Sequence, residues 1–245
     1  MNFLIVGSAG GLGSYLFRKL KDSSHCVYGI DVIKDPHVDF ILPNSSDTNS
    51  YFELLSVLFS QTRSPWTVVI TIANKGRSRL SSNYEFTSED ISSILSLNSH
   101  LLTLTAKALS ATSNDFVEQS HIINIGSFLS QFYTSKESPI YGASKAAAKS
   151  LVRDLSIIAL KDNICVNSIS PSLLFRNQAS LDFLNKYLSF YSENIQPTAY
   201  IDIFKLIEFI SLSGVKSLRG KDLVLDYGLE DLESFEIMST VAGKK

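Results

Sequence analysis

Short apolar runs alternate with longer amphipathic ones along the chain. Phe3–Val6, Cys26–Ile30, Thr67–Ile72, His121–Ile125, Cys165–Ile169 and Asp222–Leu225 each span four to six residues, are rich in Val and Ile, and are apolar on both faces. A strand apolar on both faces is covered on both faces, the condition of a parallel sheet between two helix layers. Between these runs lie helical stretches over Gly11–Lys21, Tyr51–Gln61, Ser88–Thr112, Tyr141–Lys161 and Ala199–Ser213. The longest opens on Ser88-Glu89-Asp90, an N-cap with an acidic first turn, and repeats apolar residues at Ile91, Ile94, Leu95, Leu101, Leu102, Leu104 and Leu109. Strand-helix alternation of this kind predicts a doubly wound α/β fold in a single domain over residues 1–245. No repeat or low-complexity linker divides it. Pro43–Ser50 reads as a surface loop, and Leu173–Pro197, which breaks the alternation late in the chain, as a segment outside the sheet suited to a substrate lid.

Composition narrows the classes. The chain has 245 residues, 44% of them hydrophobic and 19% charged, with a formal net charge of −2. That is enough apolar material for a full core and excludes disorder as the main state. A near-neutral balance argues against a nucleic-acid binder, which carries a basic surplus. Cys26 and Cys165 cannot form a disulfide framework for this length and read as small buried thiols of a reduced, cytoplasmic protein. His25, His37, His100 and His121 show no metal-ligand spacing, so no metal is expected. No run is long enough to span a membrane. The apolar N-terminus lacks the basic start of a signal peptide and is broken by glycines.

Those glycines form the first motif. Gly7-Ser8-Ala9-Gly10-Gly11-Leu12-Gly13 follows the first strand directly and opens the first helix. Glycines allow a tight turn and close backbone approach to a ligand, and a helix start offers free N–H groups and a positive dipole end to a phosphate. Eighteen residues past Gly13, Asp31 ends the second strand. A carboxylate there accepts hydrogen bonds from ribose hydroxyls and repels a 2′-phosphate, which favours NAD over NADP. Lys34 close by softens that repulsion, so NADP stays open.

The second motif is Tyr141-Gly142-Ala143-Ser144-Lys145 at a helix start. Tyr and Lys at i and i+4 project from one helical face. A phenol with a pKa of about 10 is a poor proton exchanger at neutral pH. An adjacent ammonium stabilises the phenolate, lowers that pKa and makes the tyrosine usable. Upstream, the strand ending at Ile125 runs into Gly126-Ser127 and delivers a hydroxyl to the edge where open α/β sheets bind ligands.

With these residues in place, the chain resembles the short-chain dehydrogenase/reductase family in its classical form over nearly its whole length. Gly7, Gly11 and Gly13 resemble the family's cofactor loop, to which Ser8 and Leu12 belong, and Asp31 matches the acid of NAD-preferring members. Ala73-Asn74-Lys75-Gly76 lies where the family has Asn-Asn-Ala-Gly. Asn98 matches the asparagine that holds a relay water, and Ser127, Tyr141 and Lys145 match the catalytic serine, tyrosine and lysine. Val166–Pro171 resembles the strand leading to a Pro-Gly pair, and Asp226-Tyr227-Gly228 the C-terminal Asp-Gly-Gly. The resemblance implies a Rossmann-type sheet, cofactor contacts from Gly7, Ser8, Gly11, Leu12, Gly13, Asp31, Ala73, Asn74, Gly76, Tyr141, Lys145 and Pro171, and hydride transfer between a nicotinamide and a small-molecule carbonyl or alcohol. It also implies a homodimer or homotetramer through the two long helices, whose apolar residues, Leu151, Leu155, Ile157, Ile158 and Leu160 among them, exceed one stripe.

Departures from the pattern are specific. Ser172 replaces the glycine of Pro-Gly, Arg176 stands where a threonine is usual, and Lys75 replaces a small residue. Tyr141 lies 14 positions after Ser127, one more than the family's usual interval. Arg176 reads first as a solvated lid residue and second as an anion contact. Three alternatives share parts of the pattern. Sugar-nucleotide epimerases and dehydratases share the Gly7, Gly10, Gly13 spacing but need a further substrate domain for which this length leaves no room. A dihydropteridine-reductase-like enzyme fits the length and the Tyr141/Lys145 pair but is disfavoured by the matching Ser127 and the NAD-type Asp31, and a non-catalytic dinucleotide-binding regulator by the intact Asn98, Ser127, Tyr141 and Lys145.

Overall fold

The computed structural model describes residues 1–44, 47–62, 64–72, 87–112, 118–130, 139–172, 174, 198–212 and 218–225. Seven parallel strands form one sheet: β1 (Asn2–Val6), β2 (Cys26–Asp31), β3 (Phe40–Ile41), β4 (Trp66–Ile70), β5 (Ser120–Ile125), β6 (Ile164–Pro171) and β7 (Asp222–Leu225), in the order β3-β2-β1-β4-β5-β6-β7. The connecting helices are α1 (Gly11–Asp22), α2 (Thr48–Ser60), α3 (Ser88–Thr112), α4 (Pro139–Ile158) and α5 (Tyr200–Leu212). The strand order reverses beside β1, which pairs with β2 on one side and β4 on the other. This is the doubly wound arrangement expected, with the switch point between β1 and β4.

Each sheet face buries its own cluster. Leu4, Val6, Val68, Ile70, Ile122 and Val166 pack under α2, α3 and α4 through Tyr51, Leu55, Leu101, Leu109 and Val152. Phe3, Ile5, Val69, Ile123 and Ile169 pack under α1 and α5 through Leu12, Leu16, Leu20, Ile203 and Ile207. In α1 the buried leucines fall at i, i+4 and i+8, one stripe of an amphipathic helix, and Lys19 and Lys21 in its last turn suit the negative end of its dipole. Among the described residues, no helix is long and apolar enough to cross a membrane, and no cluster of His, Cys, Asp and Glu could hold a metal.

Several boundaries differ from expectation for physical reasons. Strand β3 has two residues, too few to carry a periodicity, and is held by pairing with Ile30 and Asp31. Strand β6 continues through Ser168, Ser170 and Pro171 because β7 pairs with it there. Helix α3 is initiated by the Thr87 carbonyl, which accepts from the Ile91 N–H at 3.1 Å, so the cap lies one residue before Ser88. The α4 helix starts at Pro139 and ends at Ile158. A 3₁₀ turn over Ala159–Asp162 follows, and Asn163, at φ 55°, stops it.

Cys26 corrects the expectation of two buried thiols: Cys165 is buried, but Cys26 is exposed. Because β3 reaches only the far end of β2, Cys26 lies where β2 has a neighbour on one side alone. Its thiol meets the Tyr28 hydroxyl at 3.4 Å.

Burial also constrains His121, which faces α5 from the start of β5. Desolvation, reinforced by the charge of Arg219, lowers its pKa from 6.5 to about 4. The unfolded chain therefore takes up a proton that the folded chain refuses between those values. Stability should fall as pH drops from about 6.5 to about 4, by up to about 3 kcal/mol from this residue. Urea denaturation across that range should show a smaller pH slope for His121→Leu than for the wild-type chain. Equal slopes would contradict the assignment.

Candidate active site

The glycine loop is built by close contacts that tolerate no side chain. Gly7, at φ +92°, turns the chain out of β1, and its N–H donates to Ile30 O at 2.8 Å. The Gly10 N–H closes the turn onto Gly7 O at 3.2 Å, and a Cβ on Gly13 would lie 2.0 Å from that same oxygen. Helix α1 is capped by Gly10, which brings no side-chain acceptor. The amides of Gly11, Leu12 and Gly13 therefore face the loop as first-turn donors of the kind that bind phosphate. Ser8 is fully buried, its N–H donating to Ile30 O at 3.2 Å and its Oγ directed at Gly29. It supports the loop from beneath.

Asp31 closes the second side of this opening. Its Oδ2 accepts from the Ala9 N–H at 2.9 Å and its Oδ1 from the Val32 N–H at 2.7 Å. The carboxylate is thus oriented by the loop itself, with lone pairs left on both oxygens. On the β4 side, the Thr71 hydroxyl donates to Val6 O at 2.9 Å and lies 3.1 Å from Gly7 O, joining the end of β4 to the loop. Thr71 carries no motif signal, since an isolated threonine after an apolar run reads only as a strand end.

One strand over, Ser127, Tyr141 and Lys145 come together beyond β5. All three are buried: Ser127 is 8% exposed, Tyr141 7% and Lys145 1%. Lys145 donates to Ile125 O at 3.0 Å and to Ile72 O at 3.3 Å, and its Nζ lies 5.7 Å from the centre of the Tyr141 ring. Burial raises the Tyr141 pKa above 10, and a hydrogen bond with Ser127 partly offsets that rise. The expectation of a lowered phenol pKa is therefore not met. Desolvation outweighs the Ser127 hydrogen bond, while the ammonium donates to the Ile125 and Ile72 carbonyls.

Asn98 reaches the same place from α3. Its Nδ2 donates to Ser144 Oγ at 2.9 Å and to Ile94 O at 3.0 Å, and Ser144 Oγ donates to Tyr141 O at 2.7 Å. Asn98 and Ser144 thus fix the turn of α4 that presents Tyr141. Ser144 stands inside the Tyr-to-Lys motif, and only the packing of α3 on α4 reveals its role.

Pro171 ends β6 and is buried. Ser172, in the place of the usual glycine, donates its N–H to Leu225 O at 2.9 Å and shares a hydrogen bond with Thr198 Oγ1 at 2.9 Å. Its φ is not positive, so serine is unstrained there. Ala73, Asn74, Lys75, Gly76, Arg176, Asp226, Tyr227 and Gly228 lie outside the described residues, as does nearly all of the 173–197 segment. A cleft of about 480 Å³ along α3, lined by Ser88, Ser92, Ser96 and His100 among others, shares no residue with the site.

A family model described as enoyl-(acyl carrier protein) reductase matches residues 50–229, a span that holds Asn98, Ser127, Tyr141 and Lys145. The chain belongs to the short-chain dehydrogenase/reductase family. A tropinone reductase homologue of Arabidopsis thaliana is 26% identical over 167 residues, covering 65% of this chain and 60% of the relative, so the match spans less than two thirds of that protein. The short-chain dehydrogenase of Leptospira borgpetersenii, solved with NAD+, superposes with a TM-score of 0.77 at 21% identity, over 93% of this chain and 91% of that one. ElxO, solved with NADP, superposes with a TM-score of 0.74 at 17% identity, over 94% and 98%. At these identities the two structures share the family's fold.

The glycine contacts lead to a direct test. Gly13→Val forces Cβ into Gly7 O and should abolish NADH binding in a fluorescence titration, while circular dichroism retains the helical signal. Undiminished binding would show that the loop is not where the dinucleotide sits.

Proposed function

We propose that this short-chain dehydrogenase/reductase is an NAD(P)-dependent enzyme that acts on a small-molecule carbonyl or alcohol. The observation that carries the reading is the buried Ser127, Tyr141 and Lys145 cluster, two strands from a glycine loop that brings no side-chain cap, at the switch point of the sheet. The first-turn amides of α1 would hold the pyrophosphate and Asp31 the adenosine ribose. Lys145 would reach the nicotinamide ribose, and Pro171 would border the ring. When bound, a nicotinamide would supply the hydride chemistry.

The chain's own residues manage the proton. In the reducing direction Tyr141 gives its phenolic proton to the substrate oxygen as negative charge gathers there, and Ser127 donates a hydrogen bond to the same oxygen. Burial keeps Tyr141 protonated until it is needed, and Lys145 stabilises the phenolate left behind. Asn98 holds α4 in register for both groups. The exposed Ile157, Ile158 and Leu160 at the end of α4 supply an apolar surface for assembly into a homo-oligomer.

Tyr141→Phe should lower turnover by about two to four orders of magnitude while NADH affinity stays within about twofold of wild type. Turnover is followed by NAD(P)H absorbance across a panel of carbonyls and alcohols. A variant that keeps most of its activity would remove Tyr141 from the acid/base role. The Asp31 carboxylate should make NADH bind more tightly than NADPH. Asp31→Ala should narrow that preference, and a wild-type preference for NADPH would contradict it.

A further inference from the structure

Beneath α4, the inner surface of β5, β6 and β7 turns from apolar to polar as it approaches the site. Ile122 and Val166 line this face, but Asn124, Ser168 and Ser170, two or four residues further on, continue it as buried polar groups. Asp222, the first residue of β7, lies opposite Ser168 in the register, its side chain 6% exposed. Its Oδ1 accepts from the Ser170 hydroxyl at 2.6 Å, and its Oδ2 pairs with Lys149 Nζ at 3.3 Å. Lys149 stands four residues beyond Lys145 and eight beyond Tyr141, on the same face of α4. Ser170 in turn occupies the place that a side chain on Gly126 would take, since a Cβ there would lie 2.3 Å from Ser170 Oγ. Gly126 donates to Ile169 O at 2.8 Å and leads straight into Ser127.

Lys149 keeps part of its side chain in solvent, so its pair with the buried Asp222 carboxylate is a weak source of stability. A satisfied polar network instead fixes one geometry. We propose that Lys149, Asp222 and Ser170 are positioning residues: the Asp222 carboxylate ties the helix that presents Tyr141 and Lys145 to the serine that backs the Gly126-Ser127 peptide, and so sets the Ser127 hydroxyl against the Tyr141 phenol. This rests on the assignment of Ser127, Tyr141 and Lys145 as the reactive groups. It adds two charged residues and a hydroxyl that touch neither substrate nor cofactor.

The test is the ionisation of Tyr141 in the full chain without cofactor. Tyrosines are replaced by 3-fluorotyrosine, whose phenol ionises at lower pH, and read by ¹⁹F NMR, with Tyr141→Phe assigning the signal. Among the described residues, the charged groups of this network are Lys145 and Lys149 on the helix that carries the phenol and Asp222 on β7. The Ser127 bond pulls the phenol pKa down, so loosening it moves the titration up. Ser170→Ala changes no charge and should raise the midpoint by about half a pH unit or more. Lys149→Met and Asp222→Asn should shift it in the same direction, because each releases the same tie. Ser170→Thr, which keeps the hydroxyl, should restore the wild-type midpoint.

A rise with Lys149→Met but a fall with Asp222→Asn, the pattern of plain charge removal, overturns the proposal. So does the absence of a shift in all three. Ser170→Ala leaves the ion pair intact and decides the matter if a charge variant fails to fold. Ser127→Ala tests the underlying site separately. If it leaves Tyr141 unmoved, the site assignment fails. If it moves Tyr141 and the three variants do not, only the positioning role fails.

Discussion

An ammonium group taken out of water must find acceptors within the protein or lose its charge. Lys145, almost wholly buried, finds acceptors in the carbonyls of Ile125 and Ile72. One closes β5 and the other follows β4, so a single side chain from α4 fastens the helix to the ends of two adjacent strands. Those ends stand next to the point where strand order reverses, and the glycine loop lies across from them on β1. The arrangement of the site follows from this contact. Tyr141, one turn earlier on α4, is brought beside Ser127 at the end of β5, and both face the opening that the loop and Asp31 enclose.

The two halves of the site use opposite means of handling charge. The loop half gathers partial positive charge from backbone donors, and its one acidic side chain is oriented by a loop amide and by the amide that follows it. It is suited to an anion with sugar hydroxyls beside it. The α4 half removes water from a phenol and an ammonium together. Desolvation there opposes ionisation of Tyr141, and the Ser127 hydrogen bond works against that rise. Such a phenol stays protonated at neutral pH.

Much of this architecture is legible in the sequence because burial on both faces leaves unbroken apolar runs. Strands β4 and β5, enclosed within the sheet, are found where Val and Ile cluster, and α3 spans the residues its periodicity indicates. Legibility fails where tertiary pairing decides. Phe40 and Ile41 are too few to show a period, and the exposure of Cys26 depends on how far β3 extends alongside β2. Ser168 and Ser170 lower the apolar character of β6, although β7 extends the strand through them. Within the site, the Gly7, Gly11 and Gly13 loop, Asp31, Tyr141 and Lys145 are visible as spacing. Ser144, Thr71 and the Lys149 pair with Asp222 are not, because their partners lie 46 or more residues away or on another strand. The direction of the Tyr141 shift is likewise a property of packing.

In the proposed reaction Tyr141 and Lys145 act as one unit, held together by the buried anchorage of the lysine. A double-mutant cycle on turnover with NAD(P)H and a carbonyl substrate tests it most directly. Lys145→Met and Tyr141→Phe should each lose most of the rate, and the double variant should lose no more than the worse single one. Losses that simply multiply would show two independent residues and contradict the account.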